Sequence, residues 1–204
     1  FLVAEGLRRL GISVPVVYNL SGYQSIEELR AAEGSADIYL PDYKYADSSL
    51  AALYSSCPDY PGKALDAIGE MLRQKGRLDV LEPEGEAAQK GVLVRHLVLP
   101  GHVENSVQAL TSLFVEFGPD LPLSLMSQYH PVPRPLPPNL RRRVLPEEFN
   151  RVYRHAVELG FRHVFFQPPC RDSGEDAEFL PDFLDERPFR GRSSVVDKSE
   201  RARV

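Results

Sequence analysis

Short β-branched runs alternate with amphipathic helical stretches through most of this chain. No other feature constrains the fold as strongly, because strands separated by helices pair in parallel through right-handed crossovers. The runs are Val14–Tyr18, Ile38–Leu40, Val92–Leu99, Leu123–Met126 and Val164–Phe166, which predicts five strands. Ser25 opens the first intervening helix, and Glu28 three residues later completes the spacing of a capping box. Asp47–Ser56 reads as a short helix. Pro61–Lys75 reads as a longer one, with Ala64, Leu65, Ile68, Met71 and Leu72 on one face. Asn105–Phe117 and Leu145–Leu159 are the remaining helices; Gly118 and Gly160 close them, and Pro146 suits a first turn. Pro131–Pro138 contains five prolines and can be neither helix nor central strand. Leu81–Gln89 is polar and reads as an exposed loop. A doubly wound sheet and a β/α barrel both satisfy this pattern, so the fold class is α/β with a parallel sheet.

The termini add two expectations. Leu2, Val3, Leu7 and Leu10 recur at helical spacing with no capping residue ahead of them, so the chain reads as a fragment or a processed piece. After Pro168 the sequence turns polar. Residues 168–190 are expected to pack on the domain as an extended segment, and 191–204 to form a disordered tail.

Composition excludes several classes of partner. The net charge is −5 and the longest basic run is Arg141–Arg143, beside proline-rich sequence. Nucleic-acid binding requires a clustered basic surface, so none is expected. No apolar stretch approaches the ~18 residues of a membrane helix, so no membrane partner is expected either. The two cysteines, Cys57 and Cys170, lie far apart and form neither a disulfide framework nor a zinc motif. A reducing compartment, the cytoplasm, is the expected location.

In parallel α/β folds functional groups collect where strands end. Those positions are Asn19–Tyr23, Pro41–Tyr45, Arg95-His96 with Pro100–His102, Ser127–His130, and Gln167-Pro168. Asp42 and Lys44 are two apart, so extended geometry points both side chains to one face. Either they are a buried pair beside an anionic ligand or two solvated charges in a turn. Arg95 interrupts an apolar strand, where an arginine is costly unless it meets an anion. It suits a carboxylate clamp, or it reaches from the strand end to a neighbouring acidic side chain. His96 points to the opposite face and reads as a packing residue. No nucleophile elbow, phosphate-binding loop, GxGxxG turn or HExxH helix is present.

Four ordered segments carry a family resemblance: Tyr18–Tyr23 (YNLSGY), Asp37–Asp47 (DIYLPDYKYAD), Val94–Gly101 (VRHLVLPG) and Leu125–Pro131 (LMSQYHP), with Tyr54-Ser55 and Pro58–Tyr60 between them. The chain resembles radical S-adenosylmethionine (radical-SAM) proteins similar to the pyruvate formate-lyase activating enzyme, over about residues 1–190. The resemblance implies a partial, open, TIM-like parallel β/α barrel, 1–167 here, with its first two β/α units missing. It implies a 4Fe–4S cluster held by a CxxxCxxC loop, and S-adenosylmethionine chelated to the cluster. Reductive cleavage would yield a 5′-deoxyadenosyl radical that abstracts a hydrogen atom, from a glycine of a protein substrate in the activating enzymes.

Carried over by position, Asn19 and Ser21 lie in the turn near the cofactor's carboxylate. Lys44 faces that carboxylate and Asp42 balances the charge. Arg95 lies near the ribose and carboxylate, and His130 near the adenosine. The departure is the cluster loop: its cysteines would precede residue 1, and Cys57 and Cys170 cannot replace three closely spaced thiolates. This chain alone is therefore expected to be inactive. Two other readings compete. One is a non-catalytic barrel that binds a small anionic ligand or a protein partner. The other is a complete aldolase-like barrel, disfavoured because five strands cannot close a ring of eight.

Overall fold

The computed structural model describes residues 2–12, 14–81, 87–132 and 135–167. Phe1–Pro169 forms one compact unit. The segments expected over 168–190 and 191–204, and Cys170 with them, lie outside the described residues.

Helices and strands alternate. The order is α1 (Leu2–Arg9), β1 (Val17–Leu20), α2 (Ile26–Ala32), β2 (Ile38–Pro41), α3 (Ser48–Ser55), α4 (Tyr60–Lys75), β3 (Gly91–Val92), β4 (Val94–Leu97), α5 (Val103–Phe117), β5 (Leu123–Met126), α6 (Pro146–Leu159) and β6 (Val164–Gln167). A 3-10 turn, Pro138–Arg141, follows the proline-rich stretch. All strand pairs are parallel, in two open three-stranded sheets ordered β1-β2-β3 and β4-β5-β6. A single bridge, Asp42 to Arg95, joins β2's end to β4. The described strands close no barrel.

Local sequence accounts for the element ends. Ser25 accepts from the Glu28 amide while the Glu28 carboxylate accepts from the Ser25 amide, a complete capping box. Asp47 caps α3 through the amides of Ser49 and Leu50. Pro146 occupies the first turn of α6, where its missing N–H costs nothing.

Two sequence expectations need correction. The first strand begins at Val17, not Val14. The Asp37 carboxylate captures the Val16 amide, Val14 is exposed, and the ladder to β2 starts only beyond them. The single run Val92–Leu99 is two strands, making six strands in place of five. Its first residues pair with β2 and its later ones with β5, and the break falls at Leu93, whose amide still reaches Tyr39.

One sheet face carries the core. Tyr39, Val92, Val94, His96, Leu123 and Leu125 are fully buried there. The helices cover them with Ala64, Ala67, Ile68 and Met71 of α4, Ala109, Leu110 and Leu113 of α5, and Phe149, Val152 and Ala156 of α6. Each large aliphatic buried in this way contributes about 1.5–3 kcal/mol. The opposite face is less covered. Paired residues of a parallel ladder share a face, so Asp42, Arg95, Ser124 and Phe165 form one row, and Leu97 and Met126 lie on the next. All of these are half-buried. The charged residues stand on this open face, Asp42 and Lys44 just past the C-terminal end of β2 and Arg95 beside them in β4.

Candidate functional site

Asp42 and Arg95 meet because the bridge between their strands sets them side by side. The Arg95 Nε donates to Asp42 Oδ1 at 2.9 Å, and its Nη2 donates to the same oxygen and to Asn19 Oδ1. Lys44 Nζ lies 3.5 Å from the other oxygen of Asp42, Oδ2. One carboxylate thus stands between two cations. The Asp42 and Arg95 side chains are 17% and 20% exposed and Lys44 is 37% exposed, so Lys44 is the member that faces water most. Among the described residues no hydrogen bond engages Arg95 Nη1, and the Lys44 ammonium makes only its looser ion pair. Donors therefore remain for an anion, and the cluster keeps one net positive charge.

Of the two readings of Arg95, the geometry shows the arginine reaching a neighbouring acidic side chain, with one terminal nitrogen to spare. Asn19 belongs to the same cluster. Ser21 does not join it through its side chain: its Oγ accepts from Gln24 Nε2 at 3.3 Å and is exposed in the turn. His130 Nδ1 lies 3.2 Å from Arg143 Nη2. No hydrogen bond or ion pair joins His130 to the Asp42 cluster among the described residues. His96 is completely buried, with Nδ1 2.6 Å from the Tyr43 carbonyl and Nε2 2.9 Å from Ser106 Oγ. A carbonyl can only accept, so Nδ1 carries the proton and Nε2 accepts from the serine. Burial pushes this imidazole's pKa down.

The rim is built by residues that sequence spacing did not single out. Tyr60, at the start of α4, accepts from the Lys44 amide at 2.9 Å. Its hydroxyl also faces the carbonyls of Asp42 at 2.8 Å and Ser21 at 2.9 Å. Asn105, in the first turn of α5, donates to the Lys44 carbonyl at 3.0 Å and accepts from the amides of Ala46 and Asp47. Gly22 (φ +83°) lets the turn after β1 close on this stretch, since a Cβ there would stand 2.1 Å from the Asp42 carbonyl oxygen.

Glu148 of α6 ties the loop after β4 to the residue that follows the 3-10 turn. It accepts from the Gly101 amide at 2.7 Å and from both terminal nitrogens of Arg142 at 2.7 Å. Part of the basic run is therefore structural. Arg142 beside it, together with the Leu145 and Gly101 amides, lowers the Glu148 pKa to about 2. A cleft of about 410 Å³ opens beside Glu148, lined by Asp47, His102 and Glu104 among others, and it excludes Asp42, Lys44 and Arg95. Tyr60 lies in the Pro58–Tyr60 segment of the resemblance, which was its only signal; Asn105 and Glu148 had none.

No family model matches the chain. Comparison with known proteins finds an uncharacterized protein of Methanocaldococcus jannaschii, 24% identical over 162 residues, covering 79% of this chain and 42% of that protein. A lipoyl synthase of Mycobacterium avium is 28% identical over 158 residues, covering 74% of this chain and 50% of the synthase. A mitochondrial lipoyl synthase of Zea mays is 25% identical over 187 residues, covering 86% and 48%. The chain spans about half the length of these curated relatives. The similarity is distant and reaches the radical-SAM superfamily through lipoyl synthase. It does not support the pyruvate formate-lyase activating-enzyme branch. No described helix is long and apolar enough to cross a membrane.

Proposed function

We propose that this chain supplies the S-adenosylmethionine-binding rim of a radical-SAM enzyme, and that Asp42, Lys44 and Arg95 hold the cofactor's amino-acid end. The observation that carries this reading is the carboxylate set between two cations with unused donors, where β2 ends beside β4. The cofactor's methionine end carries a carboxylate and an ammonium. Lys44 and the open Nη1 of Arg95 match the first, while Asp42 and Asn19 offer acceptors for the second. A phosphate would find the same two cations but carries no ammonium to offset its repulsion by Asp42. The distant similarity to lipoyl synthases supports the same superfamily.

When bound, S-adenosylmethionine supplies the 5′-deoxyadenosyl group that abstracts a hydrogen atom after reductive cleavage. A 4Fe–4S cluster does not fit the side chains described here. The Cys57 thiol points to the Ser55 carbonyl, and no group of three metal-ligating side chains occurs among the described residues. The sequence has two cysteines where a cluster of this kind takes three. No step is therefore assigned to this chain's thiols, and its own part is to bind and orient.

The test is titration calorimetry of S-adenosylmethionine into the 204-residue chain and its variants. A charge-assisted hydrogen bond contributes about 1.5–3 kcal/mol, so Lys44→Ala and Arg95→Ala should each raise Kd roughly ten- to a hundredfold. Lys44→Arg should rescue only in part, because a planar fork differs from a compact ammonium. Unchanged affinity in both alanine variants would show these residues to be surface charges and sink the proposal.

A further inference from the structure

We infer that Tyr60 is a positioning residue of this site: with Asn105 it fixes the backbone of Lys44, and through it the ammonium that meets the ligand's anionic end. The inference rests on the ligand-binding reading of the Asp42 cluster given above.

The β2 ladder stops just before Lys44. Asp42 still bridges to Arg95, and the Tyr43 amide still donates to the Arg95 carbonyl. Beyond that point no described strand pairs with the Lys44 peptide. Its amide donates to the Tyr60 hydroxyl and its carbonyl accepts from Asn105 Nδ2, at 2.9 and 3.0 Å. Two side chains from two helices thus replace the missing ladder on the two sides of one residue. Both clamping residues are only 3% exposed. Unmet backbone polar groups at this depth are costly, which makes both clamps strong constraints on where Lys44 can lie.

The Tyr60 hydroxyl has one proton and faces two carbonyls, Ser21 at 2.9 Å and Asp42 at 2.8 Å. It therefore sits on the seam between the turn after β1 and the stretch after β2, where Gly22 allows the close approach. Its ring stacks with Tyr23 and Tyr43 and meets Tyr45 edge-on. A phenylalanine would fill the same space. What the hydroxyl adds is its hold on the Lys44 backbone amide.

The test is a double-mutant cycle on the 204-residue chain, with S-adenosylmethionine as the probe and thermal unfolding recorded for each variant. Tyr60→Phe removes the clamp and keeps the ring. It should unfold cooperatively and weaken binding about three- to tenfold, the range that one net hydrogen bond commands. On a Lys44→Ala background the same change should produce no further loss, because the group it positions is gone. Asn105→Asp is the second variant, used if Tyr60→Phe does not fold. It keeps acceptors for Ala46 and Asp47, loses the donor to Lys44, and should show the same dependence on Lys44. Unchanged affinity in Tyr60→Phe, or an equal loss with and without Lys44, overturns the inference while the site reading survives. Unchanged affinity in Lys44→Ala overturns the inference and removes Lys44 from the site as well.

Discussion

Glu148→Gln should make the domain less stable at neutral pH and blunt its response to acid. Glu148 is 14% exposed at its side chain and accepts four hydrogen bonds, two from Arg142 and one each from the Gly101 and Leu145 amides. These partners lower its pKa from 4.5 to about 2. A carboxylate whose folded pKa is depressed contributes stability above its unfolded pKa and loses it as pH falls through the folded value. The window therefore runs from 4.5 down to about 2. A tenfold change in proton affinity corresponds to ~1.4 kcal/mol, so the charged form contributes about 3 kcal/mol near neutrality, of which about 2 kcal/mol is gone by about pH 3.

Glutamine keeps an acceptor oxygen for the amides but loses the bidentate pairing with Arg142. Urea unfolding of the parent chain and the variant at about pH 7, 5 and 3 isolates this residue, because every other carboxylate is common to both. The two stabilities should differ by about 3 kcal/mol at neutral pH and converge on acidification. A difference that stays constant with pH would mean that Glu148 acts through shape alone, and the argument from charge would fail.

Two further outcomes follow from the same geometry. Gly22→Ala should cost at least ~2 kcal/mol, because it forces a Cβ against the Asp42 carbonyl at positive φ; a variant as stable as the parent in urea would mean that the two turns can part freely. His96 is buried and neutral, so unfolding lets it take up a proton below its ordinary pKa of 6.5, and it should add a loss of stability as pH falls below that value. His96→Gln should lack that slope when the two proteins are compared between about pH 7 and pH 5, and identical slopes would show that the imidazole stays accessible to protons.

The sequence made the architecture legible because periodicity is a local property. Alternating runs and caps marked strands and helices, and the Ser25 capping box lies within four residues. The Asp42–Lys44 pair was visible for the same reason, from side-chain parity, and Arg95 because a charge in an apolar strand demands a partner. What local pattern could not supply was pairing. The start of β1 depends on Asp37 taking the Val16 amide from twenty-one residues away. The break at Leu93 depends on which neighbour each half of that run meets. Tyr60 and Asn105 act on Lys44 across sixteen and sixty-one residues, and nothing in their own neighbourhoods announces it. His130, placed by the resemblance, pairs with Arg143, a partner that its own neighbourhood did not announce either.

The division of labour at the rim explains how charged side chains can be available at the end of a buried sheet. Where the ladders stop, backbone groups of the 42–47 stretch still need partners, and charged side chains could have been used up satisfying them. Here neutral buried groups do that work. Tyr60 takes the Lys44 amide, Asn105 the Lys44 carbonyl and the next two amides, and His96 the Tyr43 carbonyl. None of these interactions draws on the side chains of Asp42, Lys44 or Arg95, whose hydrogen bonds and ion pairs among the described residues run among themselves and to Asn19. The cations face each other only through Asp42, which offsets their mutual repulsion while leaving one positive charge in excess. An incoming carboxylate therefore meets donors already in place, and the site needs little backbone reorganisation to receive it.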